Sequence, residues 1–197
     1  MFYNHKNGVS FRKVEESDLS DLKSLKDESW FGTVNTACLN MADQKRWFDK
    51  IAGDKSCAFF IAGVSGYHAM GLFGLTALDP VSHCGEFTHS VYKNSRGKGL
   101  GKLTLEAGID MAFEVFNIRR IETWILENNT AEAKSTLAVG FIEEGVRRKA
   151  VYKSGEYLNC KLYGLLRDEW QQTKRVVNLG KYCNLSYLPK TSKSVEG

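Results

Sequence analysis

The order of elements in this 197-residue sequence predicts an α+β domain, a mixed and mostly antiparallel central sheet flanked by helices. Three observations carry that expectation. The apolar runs "CAFFIAGV", "AMGLFGLTAL" and "GEFTHSVY" follow one another too closely for parallel crossovers. Two helix-like segments precede them, and a third with a broad apolar face follows. The chain then closes with a strand, a short helix and a hairpin.

Taken in order, "VSFR" at residues 9–12 reads as a short strand. Ser17 is the expected N-cap of a helix carrying Leu19, Leu22 and Leu25 at helical spacing. "ESWFGTVNTACLN" is a loop, and "MADQKRWFDKIAGD" a second helix with Met41, Trp47, Phe48 and Ile51 on its inner side. "SGYH" is the turn between the next two strands. In "GEFTHSVY", the fourth strand, Phe87, His89 and Val91 alternate with Glu86, Thr88 and Ser90. A helix from about Lys102 to Phe116 presents Leu105, Ile109, Ala112, Phe113 and Phe116, widened by Leu103, Ala107 and Met111, which suits a helix lying on a sheet. "RRIETWILEN" is a strand, "TAEAKSTLAVG" a short helix closed by Gly140, and "RKAVYKSGEYLNCKLYGLL" a hairpin turning at Ser154-Gly155. One domain is expected over residues 1–170. A polar extension is expected over residues 171–197, in which "VVNLGKYCNLSYL" could dock on the body and 189–197 reads as disordered.

Composition narrows the function classes. With 43% hydrophobic and 25% charged residues, the chain reads as a globular domain with a sizeable core. A net charge of +4 is compatible with an anionic ligand, but the basic residues form no aromatic-interleaved stripe, so nucleic acid is not expected. Five cysteines without a CxxC pair point away from a disulfide framework or a metal site. No apolar run resembles a signal peptide or a membrane span, and a cytoplasmic location is the expectation.

The chemistry concentrates in "SRGKGLGKL". Two common nucleotide loops fail here on spacing. A Walker loop needs a glycine at position 96 and Ser or Thr after Gly101-Lys102, where Leu103 stands; a dinucleotide fingerprint needs glycine at Lys102. The loop still favours an anion. Gly97, Gly99 and Gly101 permit positive φ and close approach, and successive amides then converge at a helix start among Arg96, Lys98 and Lys102. A glycine-rich turn with solvated lysines is the plain alternative; the strand–loop–helix order favours pyrophosphate.

Arg96-Gly97-Lys98-Gly99-Leu100-Gly101 resembles the R/Q-x-x-G-x-G/A motif of the GNAT superfamily of acetyl-CoA-dependent N-acetyltransferases. Asn129, eleven residues before Gly140-Phe141, resembles that family's Asn-x(10)-Gly-Phe segment. "GFIEEG" and "YLNCKLYGLLRDEW" look like the branch that acts on ribosomal proteins and amino sugars. The resemblance spans roughly residues 8–170 and implies a three-layer fold with acetyl-CoA as co-substrate. It further implies that Arg96, Gly97, Lys98, Gly99, Leu100, Gly101 and Lys102 cradle the pyrophosphate, that the backbone near Val91 pairs with the pantetheine arm, and that Asn129 bonds the cofactor near its reactive end. A primary amine then attacks the thioester directly.

A base must take the amine's proton. Glu86 shares a polar face with Thr88 and Ser90 on a central strand, which makes it the first candidate, with structural pairing as the alternative. His89 has the opposite parity and reaches the same cleft only through a β-bulge; otherwise it is a core histidine. Many relatives place an acidic tyrosine seven residues after the asparagine, where this chain has Thr136; Glu132 stands at the third position. The thiolate then leaves unaided, or Tyr152 or Tyr157 serves. Trp30 and Phe31 either wall the acceptor or pack beneath the helices. Lys45, Arg46, Arg147, Arg148 and Lys149, if they converge on the cleft, suit an anionic acceptor. The expected acceptor is a small amine such as an amino-sugar nucleotide, with a protein N-terminus or a non-catalytic CoA-binding module as alternatives, and a homodimer left open.

Overall fold

A computed structural model describes residues 2–34, 40–64 and 69–170. Among these, eight strands form one sheet: β1 (Phe2–Asn4), β2 (Val9–Lys13), β3 (Ala58–Val64), β4 (Gly71–Asp79), β5 (Cys84–Val91), β6 (Arg120–Leu126), β7 (Ile142–Lys153) and β8 (Glu156–Leu166). Their order is β1-β2-β3-β4-β5-β6-β8-β7, antiparallel throughout except for the parallel pair β5–β6. The mostly antiparallel α+β plan read from the sequence is therefore the observed one.

Helices cover both faces. α1 (Leu19–Ser29) and α2 (Met41–Gly53) lie on one, where Leu22 and Leu25 meet Ile61 and Leu72, with Trp47, Phe48 and Phe59 packed alongside. α3 (Leu100–Glu114) and α4 (Thr130–Ala138) lie on the other, where Leu105, Ile109, Ala112 and Phe113 join Phe73, Leu75, Phe87, Ile121 and Ile125. α3 approaches the sheet closely at Gly108, where a Cβ would stand 2.3 Å from the Phe73 ring. Only glycine lets that ring lie under the helix.

Several local expectations are corrected. Three-residue β1 was not anticipated, because so short an edge strand carries no alternation to read. Ser17 does not cap α1: it lies inside a 3₁₀ turn (Glu16–Asp18) in which the Glu15 amide donates to the Asp18 carboxylate, itself paired with Arg12. Met41 is 46% exposed, and Gln44 faces inward in its place, accepting from Lys26 Nζ at 3.0 Å. α3 begins two residues early, at Leu100, because Gly99 supplies the left-handed turn at its N-cap. The Ser154-Gly155 turn forms as expected, both residues having positive φ. The "SGYH" turn, residues 35–39 of the tryptophan loop and the extension from Gln171 lie outside the described residues.

One buried polar cluster ties the two ends of the domain to α3. Asp110, 2% exposed, lies 2.7 Å from His5 Nε2 and accepts from Trp170 Nε1 at 2.6 Å.

Candidate active site

The parallel pair β5–β6 is short. Cys84, Gly85 and Glu86 pair with Arg120, Ile121 and Glu122, and from Phe87 onward β5 has no ladder partner on that side among the described residues. The strands diverge into a cleft of about 370 Å³, lined by Phe87, Thr88, His89 and Ser90 from β5 and Thr123, Trp124 and Ile125 from β6. β5 continues into a turn at Lys93–Ser95 and then the glycine loop.

Gly97 and Gly99 both have φ +73°, the left-handed conformation expected of them. Space is open around both, since a Cβ at either would meet no atom within 4 Å. Gly101 is helical rather than left-handed, and a Cβ there would make an ordinary contact, 3.4 Å from Val91 Cγ2. The loop thus delivers the amides of Leu100, Gly101 and Lys102 at the N-terminus of a 15-residue helix. That is the donor set a pyrophosphate needs, and the open left-handed turns leave the room, so the residues fit CoA. Arg96 stiffens the approach, its Nε donating to Val91 O at 2.9 Å and its guanidinium lying 3.8 Å from Glu28. Lys98 Nζ donates to Asn94 O at 2.8 Å, and Lys102 lies 3.7 Å from Glu106.

Glu86 lines the cleft on the face of Thr88 and Ser90, as its parity requires. Its partner across β4 is Thr76, beside a bulge between Thr76 and Asp79 in which Ala77 takes φ +49°. Its carboxyl makes no hydrogen bond or ion pair among the described residues, so it is free to act on a ligand.

His89 points the other way. No bulge shifts β5 between Glu86 and Val91, and the imidazole Nε2 lies 2.8 Å from Thr104 Oγ1 on α3. His89 nonetheless lines the cleft as a residue. Burial pushes its pKa down to about 4, so at neutral pH it carries no charge. Thr104 Oγ1 also lies 3.0 Å from Leu100 O and 2.9 Å from Gly101 O, both acceptors. The imidazole and the hydroxyl thus share one hydrogen bond beside two helix carbonyls.

Asn129 caps α4: its Oδ1 accepts from Glu132 N at 3.3 Å and its Nδ2 donates to Gly32 O at 2.8 Å. It borders the cleft while holding the Trp30–Gly32 turn against the helix. Glu132 also lines the cleft, and burial raises its carboxyl to about 7.

The other sequence candidates do not gather here. Trp30 and Phe31 pack edge to face at 4.4 Å, with Lys153 over the indole, and neither lines the cleft. Tyr152 and Tyr157 meet edge to face, 61% and 64% exposed, outside the cleft. Lys45 and Arg46 pair with acids of α2 itself and with Glu16. Two aromatic walls went unread in the sequence. Trp47 lies under Lys26, 4.1 Å from its ammonium, and Trp124 lies under Arg147 at 5.1 Å. Trp124 shares its parity with Glu122, the in-register partner of Glu86, and that was the available signal.

Comparison with known proteins adds a family. Residues 9–142 match the model of the acetyltransferase (GNAT) domain. A putative ribosomal N-acetyltransferase, YdaF of Bacillus subtilis (strain 168), is 29% identical over 104 residues, 53% of this chain and 57% of that protein. The chain thus spans little more than half the length of that relative. The spermidine N(1)-acetyltransferase of Escherichia coli (strain K12) is 25% identical over 78% of this chain and 83% of its own. In fold, the spermidine N-acetyltransferase of Vibrio cholerae, solved with CoA and spermine, superposes with a TM-score of 0.80 at 18% identity, covering 84% of this chain and 99% of that one.

Proposed function

The chain belongs to the GNAT acetyltransferase family, and on that premise we propose that it moves the acetyl group of acetyl-CoA to the primary amine of a small molecule. The observation that carries this reading is the continuity of the site. The left-handed loop Arg96–Lys102 leads directly into the β5–β6 opening, and that opening holds the unpaired carboxyl of Glu86.

Bound there, acetyl-CoA supplies an electrophilic thioester carbonyl and a sulfur leaving group. The amides at the start of α3 hold the pyrophosphate, and the unpaired edge of β5 from Phe87 to Val91 offers backbone groups to the pantetheine amides. Amides of the same edge are placed to donate to the carbonyl oxygen as it gains charge. Glu86 receives the acceptor as an ammonium and takes its proton, leaving the neutral nucleophile. Asn129 keeps the wall of the cleft in place through Gly32.

Glu86 and Asp27 suit a cationic amine, and the indoles of Trp47 and Trp124 wall its apolar chain. The spermidine-acting relatives support that class. An amino-sugar nucleotide is the second reading, favoured by Lys26 and Arg147, two cations lying over those same indoles. A protein N-terminus is a third acceptor, suggested by the ribosomal relative. A thiol-release assay with acetyl-CoA against polyamines, amino-sugar nucleotides and peptides separates the three. Release with a polyamine supports the first. No release above hydrolysis with any amine contradicts the proposal and leaves a CoA-binding module.

A further inference from the structure

Glu132 is the one cleft carboxyl for which the proposed transfer has so far no use. It is the third residue of α4, a helix whose Ala133 packs against the α3-side core, whereas Glu86 shares its face with Leu72 and the α1–α2 side. The two carboxyls therefore reach the splayed opening from opposite faces of the sheet. Glu132 makes no side-chain hydrogen bond or ion pair among the described residues. Thr136, one turn further on and fully buried at 0% exposure, does not line the cleft and cannot serve there.

We propose that Glu132 is the acid that protonates the departing CoA sulfur, opposite Glu86, the base for the amine. The inference rests on the acetyl-CoA reading above. In the balanced step Glu86, having first passed the ammonium's proton to solvent, takes a second proton from the nitrogen as the neutral amine bonds to the acetyl carbon. The carbon–sulfur bond breaks, and its electron pair goes to sulfur, which takes the proton from the Glu132 carboxyl. Solvent then resets both groups, returning a proton to Glu132 and removing one from Glu86. Burial supports the assignment, since it keeps much of the Glu132 population protonated near neutral pH. The departing thiolate, whose conjugate thiol has an ordinary pKa near 8.5, is a stronger base than the Glu132 carboxylate, so the transfer runs downhill. The other titratable groups facing the cleft are Glu86, His89, Lys23, Lys26 and Asp27.

The decisive variant is Glu132→Gln, which keeps the shape and removes the acid. Expected are a native thermal melt, acetyl-CoA affinity within about threefold of wild type by calorimetry, and kcat reduced by about 100-fold. The fall in kcat above neutral pH, where wild type loses the acidic proton, is expected to disappear. In the ligand-free protein the Glu132 carboxyl, followed by ¹³C NMR with the variant for assignment, is expected to titrate near pH 7. Unchanged kcat and pH profile with acetyl-CoA still bound overturn the proposal, as does a Glu132 titration in the ordinary carboxylate range. Failure of wild type to bind acetyl-CoA removes the underlying reading and this proposal with it.

Discussion

His89 Nε2 stands 2.8 Å from Thr104 Oγ1, and this bond holds a strand histidine toward α3 rather than toward the α1–α2 side of the sheet. Burial holds its pKa near 4, below the ordinary 6.5. The unfolded chain therefore binds a proton between those values that the native state does not. Stability from this site is full above pH 6.5 and is lost as the pH falls toward 4. Replacement by Gln is expected to flatten the acid limb of a stability-versus-pH curve by on the order of 2 kcal/mol, read by urea melts at pH 7 and pH 4.5.

Glu132 has the opposite sense. Its native carboxyl is raised from 4.5 to about 7, so the native state retains a proton that the unfolded chain has released. That contribution is full below pH 4.5 and is lost as the pH rises through 7. Relative to wild type, Glu132→Gln is expected to gain roughly 1–3 kcal/mol between pH 5 and pH 8.5, the lower part of that range applying because solvent enters the cleft. Parallel melts of the two proteins with no such divergence would contradict the burial account.

On the proposed mechanism, in which the carboxyl would act on the amine and not the nucleotide, Glu86→Gln is expected to depress kcat by about 100-fold or more while leaving acetyl-CoA affinity intact. The rise of kcat with pH should also change form. An unaltered profile would exclude Glu86 as the base.

Asp110 holds His5 and Trp170 across α3, and removing it takes a hydrogen bond from each of two buried groups. Asp110→Ala is expected to cost about 2–4 kcal/mol in urea melts, with acetyl-CoA affinity preserved in the folded fraction. A variant as stable as wild type would show that the cluster contributes nothing net.

Much of this was legible in the sequence because local rules governed it. The alternation in "GEFTHSVY" correctly placed Glu86 on the cleft face and His89 against the helix, since period two holds wherever no bulge intervenes. The glycine spacing correctly located left-handed turns at Gly97 and Gly99. It did not extend to Gly101, where the backbone is helical and a Cβ would make only ordinary contact with Val91. What escaped depends on distant pairing. Trp47 and Trp124 meet at the cleft only because α2 covers the acceptor face and β6 pairs in register with β5. The tie from Asn129 to Gly32 spans 97 residues of chain, which no spacing rule anticipates. Glu132 was visible as an unusual residue, but its burial was not.

The central claim, that the Arg96–Lys102 loop cradles CoA, is tested most directly by calorimetric titration of acetyl-CoA into wild type and Gly99→Val. Valine at φ +73° costs about 1–2 kcal/mol of backbone strain and unseats the amides at the start of α3. The account predicts one saturable site in wild type and at least a tenfold loss of affinity in the variant, with circular dichroism unchanged. Equal affinity in the two proteins, or no binding to wild type, would contradict it.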